Sequence, residues 1–122
     1  MLENAELTAA VLSAAIEVHK TLGPGFLERV YEEALVVELR DRGHRVDRQV
    51  RVALRYKHRE IGTHVLDLVV EQTVVVELKS ASRTDPKHLV ILRSYLKATK
   101  LRYGLILNFG LPTLGITRVL NC

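Results

Sequence analysis

The stretch that decides the fold is His64-Val65-Leu66-Asp67-Leu68-Val69-Val70-Glu71-Gln72-Thr73-Val74-Val75-Val76-Glu77-Leu78-Lys79. Two runs of Val and Leu flank Glu71-Gln72-Thr73, and a break that short joins antiparallel strands. Residues two apart in a strand share a face, so Glu77 and Lys79 point the same way. With the turn centred on Gln72, Asp67 falls directly opposite Glu77. Two carboxylates and one ammonium then converge on one face of strands that are otherwise apolar. A slip of one residue sends Asp67 to the other face, so the expectation hangs on register.

Charges set among Val and Leu need a partner or a metal, because desolvating them alone is costly. Two carboxylates one cross-strand spacing apart repel unless a cation sits between them. All-oxygen ligands suit a hard divalent ion, Mg²⁺ or Mn²⁺. Such an ion can polarise a phosphodiester and lower the pKa of a water, with Lys79 orienting that water or offsetting developing charge. The competing reading is structural: a salt bridge from Lys79 to Asp67 or Glu77 on a solvent-facing sheet.

Working outward, the pattern before the hairpin is helical. Leu7, Ala10, Val11, Ala14, Ala15 and Val18 recur at helical spacing over Leu7–Leu22, and Gly23-Pro24-Gly25 stops the run. A second helix is predicted over Phe26–Arg42, with Leu27, Val30, Tyr31, Ala34, Leu35 and Leu39 on one stripe. Gly43 stands where a left-handed C′ residue belongs. The period then changes to 2: Val46, Val50, Val52, Leu54 and Tyr56 alternate with polar residues, as a half-buried strand requires. Lys57–Glu60 reads as the polar turn, Gly62–Val70 as the second strand and Val74–Ser80 as the third. Thr84 or Asp85 caps a third helix with Pro86 in its first turn, running to about Thr99. Tyr103–Asn108 and Ile116–Leu120 read as two last strands. The expected order is α-α-β-β-β-α-β-β in one domain, residues 1–122, with a mixed central sheet flanked by helices (α/β, or α+β).

Composition narrows the class. With 48% apolar and 26% charged residues, the chain is neither disordered nor of low complexity. The charge-free stretches Leu7–Ile16 and Tyr103–Thr117 are too short or too broken by Gly and Pro to span a bilayer as a helix. The acidic start, Met1-Leu2-Glu3-Asn4-Ala5-Glu6, lacks the positive charge of a secretory signal. The lone cysteine, Cys122, excludes an internal disulfide or a Cys-based zinc site and is given no role. A cytoplasmic protein is the expectation. The net charge of +4 favours polyanion partners only weakly.

A third acid stands in Gly23-Pro24-Gly25-Phe26-Leu27-Glu28-Arg29-Val30-Tyr31. Glu28 in the first turn of helix two complements the helix N-terminus, with Tyr31 on a neighbouring face. The functional reading is a carboxylate aimed at the metal site. Gly25-x-x-Glu28-x-x-Tyr31 resembles the signature of the GxxExxY protein family, which is placed in the PD-(D/E)XK nuclease-like superfamily. Further matches are Asp67-Leu68-Val69-Val70-Glu71, Val76-Glu77-Leu78-Lys79, Tyr95-Leu96-Lys97-Ala98-Thr99 and Asn108-Phe109-Gly110. The resemblance covers nearly the whole chain and implies a restriction-endonuclease-like core. By similarity Glu28, Asp67 and Glu77 are metal-site acids, Lys79 is the catalytic lysine and the cofactor is Mg²⁺ or Mn²⁺. His88, Tyr31 and Tyr95 would line the cleft.

Two positions depart from the family pattern. Val65 stands where the family usually carries Arg, and Ile91 where it usually carries Gln. Leu89-Val90-Ile91-Leu92 puts four consecutive apolar residues around one helix, more than one core covers. Leu89, Val90 and Ile91 are therefore candidates for a subunit interface, against a helix wedged deeply into the fold. Two readings follow. One is a divalent-metal-dependent nuclease acting on DNA or RNA, its activity put in doubt by Val65 and Ile91. The other is a silent nuclease-fold module that self-assembles or binds another protein, of a kind that would also suit an engineered oligomer scaffold. A nucleic-acid partner goes with the first, a homo-oligomer or assembly partner through helix three with the second; neither calls for a membrane.

Overall fold

A computed structural model of the chain describes residues 4–121; Cys122 lies outside the described residues. The elements are α1 (Asn4–Leu22), α2 (Glu28–Asp41), β1 (Val46–Tyr56), β2 (Arg59–Val70), β3 (Val74–Lys79), α3 (Lys87–Thr99), β4 (Tyr103–Asn108) and β5 (Gly115–Leu120). This is the order expected from the sequence. The strands form one mixed sheet in the order β1-β2-β3-β4-β5, with β3 and β4 parallel and the other neighbours antiparallel. A parallel pair needs a crossover, and α3 supplies it.

Two apolar cores lie on the two faces of this sheet. Leu7, Val11, Val18, Leu35 and Leu39 of α1 and α2 pack on Leu68, Val70, Val74, Val76 and Leu78. On the other face Leu92 and Leu96 of α3 pack on Leu66, Val69, Val75 and Ile106. The β2–β3 register, Leu68↔Val76, Val69↔Val75 and Val70↔Val74, centres on Gln72 as predicted. Glu71 and Gln72 both take positive φ to close the turn.

Helix ends follow local chemistry. Gly43 has φ +89°; its N–H bonds Arg40 and that of His44 bonds Leu39, closing α2 in a Schellman motif. The Asp85 carboxylate accepts the Lys87 N–H at 3.0 Å, so it is Asp85 that caps the first turn of α3.

Three expectations need correction. Phe26 and Leu27 precede α2 instead of opening it, and Leu27 and Val30 face solvent, at 81% and 38% exposure. The β1–β2 turn is only Lys57-His58, both at positive φ, with Tyr56↔Arg59 and Arg55↔Glu60 still paired. That two-residue turn matches the right-handed twist of the strands without the usual Asn-Gly. The simple alternation predicted for β1 also breaks. Val46 joins the first core, whereas Val52, of the same parity, joins the second and Val50 packs against it. Gln49 between them sits at φ +49°, and both strands change face there, Leu66 packing on one side and Leu68 on the other. Such a local irregularity re-aims the side chain beside it. The residue opposite Gln49 in the β1–β2 register is Asp67.

Candidate active site

Asp67 stands where β2 and β3 part. Their ladder ends at Leu68↔Val76, and the Asp67 side chain takes over the next donor, accepting the Leu78 N–H at 2.8 Å. Glu77 and Lys79 lie on the α3 side of β3, continuing the row of Val75. They line a cavity of about 200 Å³ with His64, His88, Ile91 and Tyr95. Asp67 opens on the other side, into a cleft of about 730 Å³ shared with Glu28, Arg48, Gln49 and Ser80. The kink at Asp67 therefore puts one carboxylate at the junction of two hollows.

Glu77 carries the least satisfied charge in the site. Its Oε1 is buried and has no hydrogen-bond partner. Burial first, and then the neighbouring Asp67, push its carboxyl up to about 9 against the opposing pull of Lys79. Without a cation the Glu77 carboxyl is thus protonated at neutral pH. No ion pair joins Lys79 to Asp67 or Glu77 among the described residues, so the salt-bridge reading of these three side chains fails. Burial also lowers the His64 pKa, against the pull of Asp67 and with a contribution from Lys79, and the ring stacks on Tyr95 at 3.6 Å and 5°. A neutral, immobilised imidazole results.

The donor set fits a hard divalent ion. An orphaned buried carboxylate oxygen, a second carboxylate beside it and a raised proton affinity are what a cation would relieve. Mg²⁺ commonly takes one or two carboxylates and fills its octahedron with water and phosphate oxygens. The third acid stays apart: Glu28 is exposed at the mouth of the Asp67 cleft, and no three-ligand cluster forms among the described residues.

The loop that presents Glu28 is tied down residue by residue. Gly23 and Gly25 take φ +71° and +115°, a region that L side chains rarely adopt. The Tyr31 hydroxyl donates to the Gly23 carbonyl and accepts the Phe26 N–H at 3.1 Å, while its ring stacks on Phe109 at 4.6 Å. Ser80 Oγ donates to the Phe26 carbonyl at 2.6 Å, joining this loop to the end of β3. Tyr31 is wholly buried. It is a core and loop-positioning residue and does not line the cleft, which corrects the sequence expectation; its ring belongs to the first core against Phe109. His88 and Tyr95 do line the cavity beside Glu77.

Sequence reasoning quoted Asn108-Phe109-Gly110 without giving it a role and missed Glu32 altogether. Buried Asn108 accepts the Ala81 and Gly110 N–H groups at 3.1 and 3.0 Å, and Phe109 N–H bonds the Lys79 carbonyl at 2.8 Å. A Cβ on Gly110 would stand 2.5 Å from the Ala81 backbone, so only glycine fits. Asn108-Phe109-Gly110 thus fixes the chain leaving Lys79. Buried Glu32 accepts from Arg48 at 2.9 Å and from Gln49 at 2.8 Å, holding the unusual Gln49 in place across from Asp67. A Glu one position after a buried Tyr carries no signal of its own, which is why it went unread.

Over residues 5–119 the chain matches the family model of the PD-(D/E)XK nuclease superfamily. The chain belongs to that superfamily. Searches of curated proteins and of solved structures returned no match. The sequence resemblance implies that Asp67, Glu77 and Lys79 are the motif residues of a PD-(D/E)XK site. The two departures sit close by: Ile91 lines the Glu77 cavity, and Val65 pairs with Arg51 two residues before Asp67. Val90 and Ile91 are exposed at 62% and 43%, while Leu89 packs against the second core, so α3 is not wedged deeply into the fold. No described helix is long and apolar enough to cross a membrane.

Proposed function

We propose that this chain hydrolyses phosphodiester bonds of nucleic acid with the help of Mg²⁺ or Mn²⁺ held by Asp67 and Glu77. The observation that carries the reading is the buried, unpartnered Glu77 Oε1 beside a second carboxylate. The ion would supply charge neutralisation at a phosphoryl oxygen and a more acidic water. Lys79, in the same cavity as Glu77, brings an ammonium to the developing negative charge. Asp67 is held by the Leu78 N–H, which fixes one oxygen and leaves the other to bind. His64 stays neutral against Tyr95 and adds no charge that would compete with a cation. Glu28, from the pinned loop, lines the mouth of the Asp67 cleft, where it would engage substrate or water.

The test is cleavage of plasmid DNA, linear single-stranded DNA and RNA with Mn²⁺, comparing wild type with Asp67→Ala. Cleavage by wild type that the substitution abolishes supports the reading. A folded wild type that cuts none of them contradicts it. The second reading, a silent module that assembles through α3, is favoured by the exposure of Val90 and Ile91. It predicts association that Val90→Asp disrupts, in a protein without nuclease activity.

A further inference from the structure

The β1–β2 hairpin is longer than the sheet it belongs to. β1 and β2 run 11 and 12 residues, against six for β3, and β2 pairs with β3 only at Leu68, Val69 and Val70. Beyond that point the two strands continue as a ribbon with no third strand beside it. From the Arg51↔Val65 pair to the Lys57-His58 turn the ribbon spans ~20 Å at ~3.3 Å per residue. Its base is clamped: Val52 and Leu66 are buried in the core under α3, and His64 stacks on Tyr95. The far end is bare, with Tyr56 and Ile61 exposed at 62% and 68%.

This ribbon is basic. Residues 51–63 carry Arg51, Arg55, Lys57 and Arg59 against Glu60 alone, a net +3 in a chain whose total is +4. All four cations are exposed, and none makes a salt bridge among the described residues. Lys57 Nζ rests 5.5 Å from the centre of the Tyr56 ring, keeping that charge on the ribbon's end. Arginines nearer the supporting helices are paired: Arg48 is bound to Glu32 and Glu33, and Arg42 to Glu38. An unpaired row of like charges on an extended ribbon repels itself unless an anion covers it.

We infer that the β1–β2 hairpin is a DNA-binding arm: its Arg51, Arg55, Lys57 and Arg59 grip the phosphates of a B-form duplex and deliver one strand to the Asp67–Glu77 site at its root. A two-stranded ribbon fits the major groove of B-DNA, whereas the major groove of an A-form RNA helix is too narrow and deep for it. The few aromatic residues, Tyr56 alone among them at the ribbon's end, offer no stacking platform for single strands. Arg51 stands nearest the site, since its partner Val65 is two residues from Asp67. This inference rests on the phosphodiesterase reading for what the arm serves, and binding can be measured without cleavage.

The experiment uses the full chain in Ca²⁺, with fluorescence anisotropy on a 20-base-pair DNA duplex, the matching single strand and an RNA duplex, each across a salt series. Wild type is compared with R55Q/K57Q/R59Q, all surface changes, with folding confirmed by circular dichroism. Each phosphate contact contributes ~0.9 to the log–log salt slope, so the triple variant is expected to lose about 3 from that slope and at least tenfold in affinity. In parallel, Mn²⁺-dependent hydrolysis of bis(p-nitrophenyl) phosphate, too small to reach the arm, reports on the site. Unchanged hydrolysis with weakened duplex binding supports the arm. Equal duplex binding by both proteins overturns it, as does tighter binding of the single strand or the RNA duplex. Absence of hydrolysis in wild type, with duplex binding intact and lost in the variant, contradicts the catalytic reading and leaves the arm standing.

Discussion

The two faces of the sheet are built to different standards. On the α1/α2 face nearly every polar group near the site has a partner: Tyr31 binds Gly23 and Phe26, Ser80 binds Phe26, His19 Nε2 meets the Leu111 carbonyl at 2.8 Å, and Glu32 is bound twice. On the α3 face the cavity leaves Glu77 Oε1 with nothing, and the helix buries only Leu92 and Leu96. One face fixes geometry, and the other keeps an unmet demand for charge. Buried polar groups left unsatisfied in a native fold mark places where a ligand completes the structure. On the proposed reading a cation would meet that demand, reached by Asp67 from the junction of the two hollows.

That contrast can be broken most directly at the carboxylates. Asp67→Ala or Glu77→Ala is expected to lower Mn²⁺-dependent cleavage by at least ~100-fold, the scale of losing a principal electrostatic group. The same variants should keep the fold, as judged by thermal melts. On the supporting face the pattern reverses. Gly110→Ala drives a Cβ into the Ala81 backbone and is expected to cost ~1–3 kcal/mol of stability, read from urea unfolding, with activity falling because Lys79 loses its anchor. Tyr31→Phe strands the Phe26 N–H and the Gly23 carbonyl and should cost ~1–2 kcal/mol.

A pH series sharpens the comparison further. The Glu77 carboxyl in the metal-free fold titrates near 9, whereas in the unfolded chain it titrates near its ordinary value of 4.5. Between those values the unfolded state binds fewer protons, so this group's contribution to stability is full below about pH 4.5 and declines as pH rises towards 9. Glu77→Gln should flatten that decline. Added Mg²⁺ or Mn²⁺ competes with the proton and should therefore raise the melting temperature of wild type more at pH 8 than at pH 6. The smallest effect belongs to α3: Val90→Asp, on an exposed position, should shift monomer stability by no more than ~0.5 kcal/mol.

Much of this was legible in the sequence because it depends on local rules. The Gln72-centred register followed from one short break between two apolar runs, and it set Asp67 opposite Glu77. The C-terminal stop of α2 followed from Gly43. What escaped was non-local. Nothing in Gln49 announces a left-handed backbone, since the conformation is held by Glu32 from another element, and without it the face switch at Asp67 cannot be foreseen. The same switch leaves Asp67 beside Glu77 yet also opening into a second hollow, which period-2 reasoning does not provide for. The resemblance implied Tyr31 as a cleft residue while helical spacing set it on the apolar stripe of α2, and the ring is buried against Phe109, more than seventy residues away.

The central claim is that Asp67 and Glu77 together hold a divalent ion. Isothermal titration of Mn²⁺ into wild type and Asp67→Ala at pH 7.5, in two buffers of different ionisation enthalpy, tests it most directly. The account predicts one site in wild type, release of about one proton from Glu77 on binding, and loss of that site in the variant. Binding that is equal in the two proteins, or absent from a folded wild type, would contradict it.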